Sequence, residues 1–364
     1  MNLSNRLPTW SILAPIAAWV VLALTLAGYR TSPWWLFEVL VLVGLVAGIL
    51  AAVFHAEVVA HRFGEPYGTL VLALAVTAIE VALIVSLMIA GGEAASGLAR
   101  DAVFASVMII LNGMVGICLL SGGRRHGEQS FGLYGISAAL GTLAAIAVLS
   151  LVLPNYTTTT PGPFYSNSQL TFIAVVSIVL YGTFVMIQTV KHRDYFLPVE
   201  SAADEAVHAK PPSNQMTILS AVLLLACLCS VVWLAKTLSP SLEAVVADMG
   251  APKTLVGIII AAVVLLPESI AAYQAARANR LQTSLNLALG SALASIGLTI
   301  PAVALVSVLN GWSLTLGIDS KSVVLLLLSL FVASLSLGTG RTTVMQGTVH
   351  LVIFAVYLFT AIVP

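Results

Sequence analysis

Glu80 is the only acidic or basic residue between Pro66 and Gly91, in a stretch otherwise made of Leu, Val, Ile, Ala and a few small or hydroxyl residues. A carboxylate placed deep in a membrane span costs several kcal/mol unless it holds a proton, a cation or a buried partner. Glu268 poses the same problem at the end of the apolar run Leu255–Leu266. Groups of this kind do one sort of chemistry well, the reversible exchange of a proton for a cation. The alternative is structural, an acid hydrogen-bonded to a neighbouring helix. Pro267 beside Glu268 removes a helix hydrogen bond and frees a carbonyl, and broken helices offer such backbone oxygens to cations near the midplane. The span after each acid is rich in small and hydroxyl residues, with Ser106 and Asn112-Gly113 after the first and Gly290-Ser291, Ser295 and Thr299 after the second. Ser106 and Ser291 could lend oxygens to an ion, or serve close helix packing. His55 and His61 flank Glu57, but six residues apart they do not make the paired zinc ligands of a metalloprotease. Glu57 is read either as a gate or vestibule group or as part of a solvated helix end.

The elements that carry these residues follow from composition. Hydrophobic residues make up 59% of the 364, and charged residues 8% against about a quarter in soluble domains. That composition describes an all-α polytopic membrane protein. Spans of about 20 apolar residues are expected near 10–28, 35–60, 66–90, 101–121, 131–153, 169–190, 216–238, 253–275, 283–309, 321–339 and 342–362. The first is read as a retained helix rather than a signal peptide. A polar segment at 191–215, with Glu200, Asp204 and Glu205, is expected to be a cytoplasmic linker or a short acidic helix. One extra helix (1–30) then precedes two five-helix halves, 31–190 and 216–364. Five is odd, so the halves enter the membrane from opposite sides, as inverted repeats do. Gly64-x-Pro66 stands fourteen residues before Glu80, and Gly250-x-Pro252 sixteen before Glu268. At 1.5 Å per residue both acids lie roughly 21–24 Å along their helices, in the central third of the bilayer.

With the N-terminus inside, ten Lys and Arg residues fall in cytoplasmic loops and four outside, with Lys236 inside a span. The bias places the N-terminus in the cytoplasm and the C-terminus outside. Lys236 is expected to snorkel and to pair with Glu38. Cys118, Cys227 and Cys229 sit in apolar runs and read as small core residues. The near-neutral charge gives no sign of a nucleic-acid partner. No Walker loop, potassium filter, arginine-rich voltage sensor or protease motif is present, so neither ATP hydrolysis nor another enzymatic reaction is expected.

Ala56–Gly68 running into Glu80 resembles the first signature repeat of the cation/calcium exchanger superfamily, and Val264–Glu268 through Gly290–Ser295 resembles the second. Gly-Glu-Pro-Tyr-Gly-Thr, Pro-Glu-Ser and Ala-Asn-Arg-Leu-Gln are similar to the bacterial calcium/proton antiporters of the Cha type. The resemblance implies a cation and protons competing for Glu80 and Glu268, facing each other at the repeat interface, in a bacterial inner membrane. The sequence departs from the usual Gly-Asn-Ala-x-Glu pattern. Thr77 and Leu265 occupy the Asn places, and Ile110 and Ala294 stand where Asn and Gln are common. Calcium takes six to eight oxygens, so Thr77, Ser106, Ser291 and freed carbonyls would complete a site in which two carboxylates supply at most four. The expected activity is export of Ca²⁺, with Na⁺ and K⁺ as further candidates, in exchange for protons, with no cofactor and with the lipid bilayer as the surrounding partner. A passive cation channel is the alternative.

Overall fold

A computed structural model describes residues 7–28, 34–63, 67–196, 212–250, 252 and 254–363. The Gly64–Pro66 opening, the acidic residues Glu200, Asp204 and Glu205, and the basic residues Arg6, Arg30, Lys210 and Lys253 lie outside the described residues. The chain forms helices α1 (Thr9–Leu26), α2 (Trp34–Phe63), α3 (Tyr67–Gly91), α4 (Leu98–Met108), α5 (Val115–His126), α6 (Leu133–Ala147), α7 (Asn167–Met186), α8 (Asn214–Asp248), α9 (Thr254–Val264), α10 (Leu266–Arg277), α11 (Leu281–Asn310), α12 (Ser320–Leu337) and α13 (Val344–Ile362). Helix is the expected outcome for apolar segments in lipid, because it satisfies every backbone polar group within the segment. Among the described residues, nine helices are long and apolar enough to cross a membrane, and the bent pair α9–α10 raises the number to ten. Helix α3, at 25 residues, contributes the apolar stretch Leu74–Ile89. Each expected span therefore falls on helix.

Packing divides the chain into two units, and each draws on both sides of the linker. The first comprises Met1–Ala90 and Ala206–Val256. Its centre is the packing of α2 on α8, with α1 against both. Glycines permit the approach. A Cβ at Gly48 would lie 3.0 Å from Val231 Cγ2, and one at Gly44 would lie 3.7 Å from Leu234 Cδ1. These two glycines, four apart, form the small-residue stripe on which membrane helices pack closely. Polar contacts pin the ends. His55 Nε2 lies 2.8 Å from the Ser11 carbonyl, and Trp19 Nε1 donates to the Ala226 carbonyl at 3.0 Å. Arg62 donates to Asn214 Oδ1 at 2.5 Å and to the Pro212 carbonyl at 3.3 Å, at the start of α8. The expected Lys236–Glu38 pair does not form. Glu38 Oε1 accepts from Ser241 at 2.8 Å, and Lys236 Nζ lies 5.4 Å from the Trp233 ring centroid. Cys227 is buried as expected, but Cys229, two residues on and so on another face, is exposed.

The second unit comprises Gly91–Glu205 and Gly257–Pro364. The span running through α4 and α5 is 89% buried over its most apolar window, against 28% for α7. It is the interior member. Residues Ile109–Met114 join α4 to α5 through a π-helical bulge, a feature common at functional sites. Helix α11 packs on α4, α6, α7 and α10, and α13 packs on α5. At that last crossing a Cβ on Gly347 would lie 2.9 Å from the Gly116 carbonyl, so only glycine fits there. Side-chain caps fix the helix starts. Ser166 with Gln169, and Thr343 with Gln346, form capping boxes, and Asp319 accepts from the Ser322 amide at 2.6 Å. A two-stranded antiparallel ribbon, β1 (Gln129–Ser130) with β2 (Arg341–Thr342), ties the start of α6 to the start of α13. Beside it, Gln129 Nε2 donates to the Ala276 carbonyl and to Asn279 Oδ1 at 3.1 and 2.9 Å. That holds the tight α10–α11 turn, in which Asn279 takes the left-handed φ of 59°.

Candidate functional site

Glu80 and Thr77 lie on α3 in the first unit and are 7% and 4% exposed. Three residues apart, they share a helix face. Leu83, Ile84 and Leu87 continue that buried stripe, while Leu74 and Ile89 are exposed. Glu80 therefore belongs to the interior face of α3 and not to the face turned to lipid. Helix α3 runs unbroken through Glu80. Glu57, on α2 in the same unit, is exposed, as a helix-end group would be. His55 is buried against Ser11 while His61 is exposed, so the two histidines do not converge.

Glu268, Pro267, Ser106 and Ser291 lie in the second unit. Pro267 falls in the first turn of α10, and α9 and α10 meet at a 55° bend. The cause is local, since Pro267 has no N–H to give the Val263 carbonyl. The new helix start is closed by Ser269, whose amide and hydroxyl both donate to the Leu265 carbonyl, at 3.0 and 2.7 Å. The break therefore places a helix N-terminus inside the span, with half-buried Glu268 in its first turn. That end of the helix dipole favours negative charge.

Ser106 is fully buried on α4, and Ser291 is half-buried on α11. Helix α11 packs on both α4 and α10. Gly257 of α9 also faces the backbone of α4, where a Cβ would lie 3.4 Å from the Ala102 amide nitrogen. The second unit thus brings the helices of Glu268, Ser106 and Ser291 side by side. Among the described residues no group of three or more His, Cys, Asp and Glu is placed to hold a metal.

Sequence reasoning missed one buried polar cluster. Asn112, in the π-bulge, donates to Ser329 Oγ of α12 at 2.8 Å, and its Oδ1 lies 3.3 Å from His350 Nδ1 of α13. His350 Nε2 is 2.8 Å from Ser336 Oγ. Asn112, Ser329 and His350 are all fully buried. A neutral His350 protonated on Nδ1 satisfies both neighbours, donating to Asn112 and accepting the Ser336 hydroxyl. The signal was available, since His350 is a lone histidine in an otherwise apolar span.

The family description "Sodium/calcium exchanger protein" matches this chain twice, over residues 32–190 and 219–363. A protein of Sinorhizobium fredii described only as an ionic transporter, y4hA, is 48% identical over 99% of this chain and 98% of its own length. The sodium-potassium/proton antiporter ChaA of Escherichia coli is 36% identical over 96% of this chain and 95% of its own. The solved structure of native YfkE superposes with a TM-score of 0.72 at 17% identity, covering 98% of this chain and all of that one. The chain is a polytopic helical membrane protein, and it belongs to the sodium/calcium exchanger protein family.

Proposed function

We propose that the chain is a secondary active antiporter that exports a cation in exchange for protons, with Glu80 and Glu268 as the carboxylates that hold the two in turn. The observation that carries the reading is the pair of acids, one in each region matched by the family, each set well inside a span. Two further findings support it. Glu80 lies on a buried stripe beside Thr77, and Glu268 starts a half-helix made by Pro267. The relative named as a sodium-potassium/proton antiporter aligns over nearly the whole chain. Thr77, Ser106, Ser291 and carbonyls near Pro267 complete the oxygen set, with Ca²⁺ as the first candidate and Na⁺ and K⁺ as further cargo. Glu57 acts at the entrance.

Charge explains the coupling. Two ionised carboxylates in a medium of low dielectric are costly to move. Two protons cancel the charge, and so do one Ca²⁺, two monovalent cations, or one monovalent cation with one proton. Only these neutral forms change the side to which they open, so exchange proceeds at two protons per divalent cation. Protonation on the outward-facing side releases the cation, and loss of protons on the cytoplasmic side readies the site again. The two sequence halves, 31–190 and 216–364, act as inverted repeats in an inner membrane, N-terminus in the cytoplasm and C-terminus outside. The test is dye-reported proton flux in everted vesicles on addition of Ca²⁺, Na⁺ or K⁺. Wild type moves protons with at least one of them against its gradient, and Glu80→Gln or Glu268→Gln abolishes the response. Cation movement without proton movement would instead identify a passive channel, and retained exchange in both variants would reject the two acids.

A further inference from the structure

The proposed exchange makes no use of the adjoining ends of α5 and α10 within the second unit. An open groove of about 650 Å³ there is lined by Ile117, Leu120, Ser121, Arg124, Arg125, Tyr273 and Arg277. Three guanidiniums share its wall, and no carboxylate does. Each is exposed. Glu128, close by in sequence, is engaged elsewhere, accepting from Arg341 at 3.1 Å. Arg277 Cζ lies 5.7 Å from the Tyr273 ring centroid, so the side chain is laid along its own helix face toward the groove. The Arg277 carbonyl lies 3.0 Å from His126 Nε2, which ties the ends of α5 and α10 together. The wall is graded. Along α5 the residues Ile117, Leu120, Ser121, Arg124 and Arg125 follow the three- and four-residue spacing of one face. They run from apolar to hydroxyl to cationic over a little more than two turns, roughly 12 Å. Ile117, at the apolar end, is 47% exposed.

We propose that this groove binds the headgroup of an anionic phospholipid. The phosphate sits among Arg124, Arg125 and Arg277, with Ser121 and Tyr273 donating to its ester oxygens, and the glycerol and upper acyl chain lie along Leu120 and Ile117. Arginine matches a phosphate with paired N–H donors, which makes it the residue suited to this anion. The apolar end of the wall decides between sources of phosphate. A soluble anion gains nothing from Ile117 and Leu120, whereas a lipid uses both ends. Basic residues beside a span also set topology, but that role needs only charge. It needs neither a shared groove nor a graded wall.

The experiment is native mass spectrometry of the full chain, purified in detergent, with phosphatidylglycerol and phosphatidylcholine added in turn. Phosphatidylglycerol should be retained in preference to phosphatidylcholine. Each of Arg124→Gln, Arg125→Gln and Arg277→Gln should weaken its retention about fivefold, and the triple variant about 100-fold. Arg280→Gln, the same loss of charge at the N-cap of α11 and not in the lining, should leave retention unchanged. The single variants are read separately, each after gel filtration shows a monodisperse protein, so the idea stands or falls even if the triple variant is not recovered. Equal retention of the two lipids, or equal losses for Arg280→Gln and Arg277→Gln, would overturn the site. Displacement of the lipid by inorganic phosphate at comparable concentration would overturn the lipid assignment and leave a soluble anion as the occupant.

Discussion

Removing His350 or Asn112 tests whether the cluster at the π-bulge is a coupled unit. In His350→Leu, the Ser336 hydroxyl proton turns to the Val332 carbonyl 2.7 Å away, and Asn112 keeps Ser329 at 2.8 Å. What is lost is the donor to Asn112 Oδ1, so one buried acceptor is orphaned. In Asn112→Ala, Ser329 keeps the Leu325 carbonyl at 2.6 Å. Now it is His350 that loses Asn112 and is left with the Leu111 backbone on that side, and a small void is added. An orphaned buried polar group costs about 1–3 kcal/mol, while hydrogen bonds between membrane helices average about 0.6 kcal/mol and reach about 1.7. Each single variant should therefore lose about 1–2 kcal/mol. In the double variant neither group remains, so its loss should fall short of the sum by about 1 kcal/mol. The void term cancels in the cycle. Unfolding by SDS titration in mixed micelles, followed by tryptophan fluorescence, gives all four values. Additive losses, or single losses below about 0.3 kcal/mol, would show that the three helices are not joined through this cluster.

Other outcomes follow from particular contacts. Gly44→Ala should be at least as stable as wild type, since its new methyl meets neighbours at 3.7 Å, whereas Gly48→Ala meets Val231 at 3.0 Å. Overpacking of this kind costs about 1–3 kcal/mol, so the same titration should separate the two by about 1–2 kcal/mol, and equal stabilities would contradict the α2–α8 packing described above. Pro267→Ala restores an N–H for the Val263 carbonyl and favours a straight helix by up to about 3 kcal/mol. Cation-dependent proton flux in vesicles should fall at least tenfold while expression is kept, and unchanged flux would show that the 55° bend is not needed.

The helices were legible in the sequence because lipid imposes one rule, a long apolar run for each span, and the chain obeys it. The break before Glu268 was legible for an equally local reason, since a proline cannot complete the helix ladder. The π-bulge at Ile109–Met114 was not. Its residues carry no proline, Asn112-Gly113 reads equally as close helix packing, and the bulge is visible only with Asn112 set against Ser329 and His350. Partners of long side chains were also out of reach. Lys236 and Glu38 were matched by depth and charge, but the Lys stem turns to Trp233 and Glu38 finds the hydroxyl of Ser241. Cys229 was misread because an apolar run does not say which of its faces is turned inward. For the candidate site, the identity and depth of Glu80 and Glu268 came from the sequence. The placement of Thr77 beside Glu80 on one buried stripe, and the clustering of the helices of Glu268, Ser106 and Ser291, required the fold.

The central claim is that the same carboxylates hold the cation and the protons in turn. It is tested most directly by proton release from the purified protein in weakly buffered detergent, followed with a pH indicator as Ca²⁺, Na⁺ or K⁺ is added. The account predicts release that saturates with the bound cation, an apparent cation affinity that weakens as pH falls, and a smaller release in Glu80→Gln and in Glu268→Gln. Tight cation binding with no proton released, at any pH where the protein is folded, would contradict it.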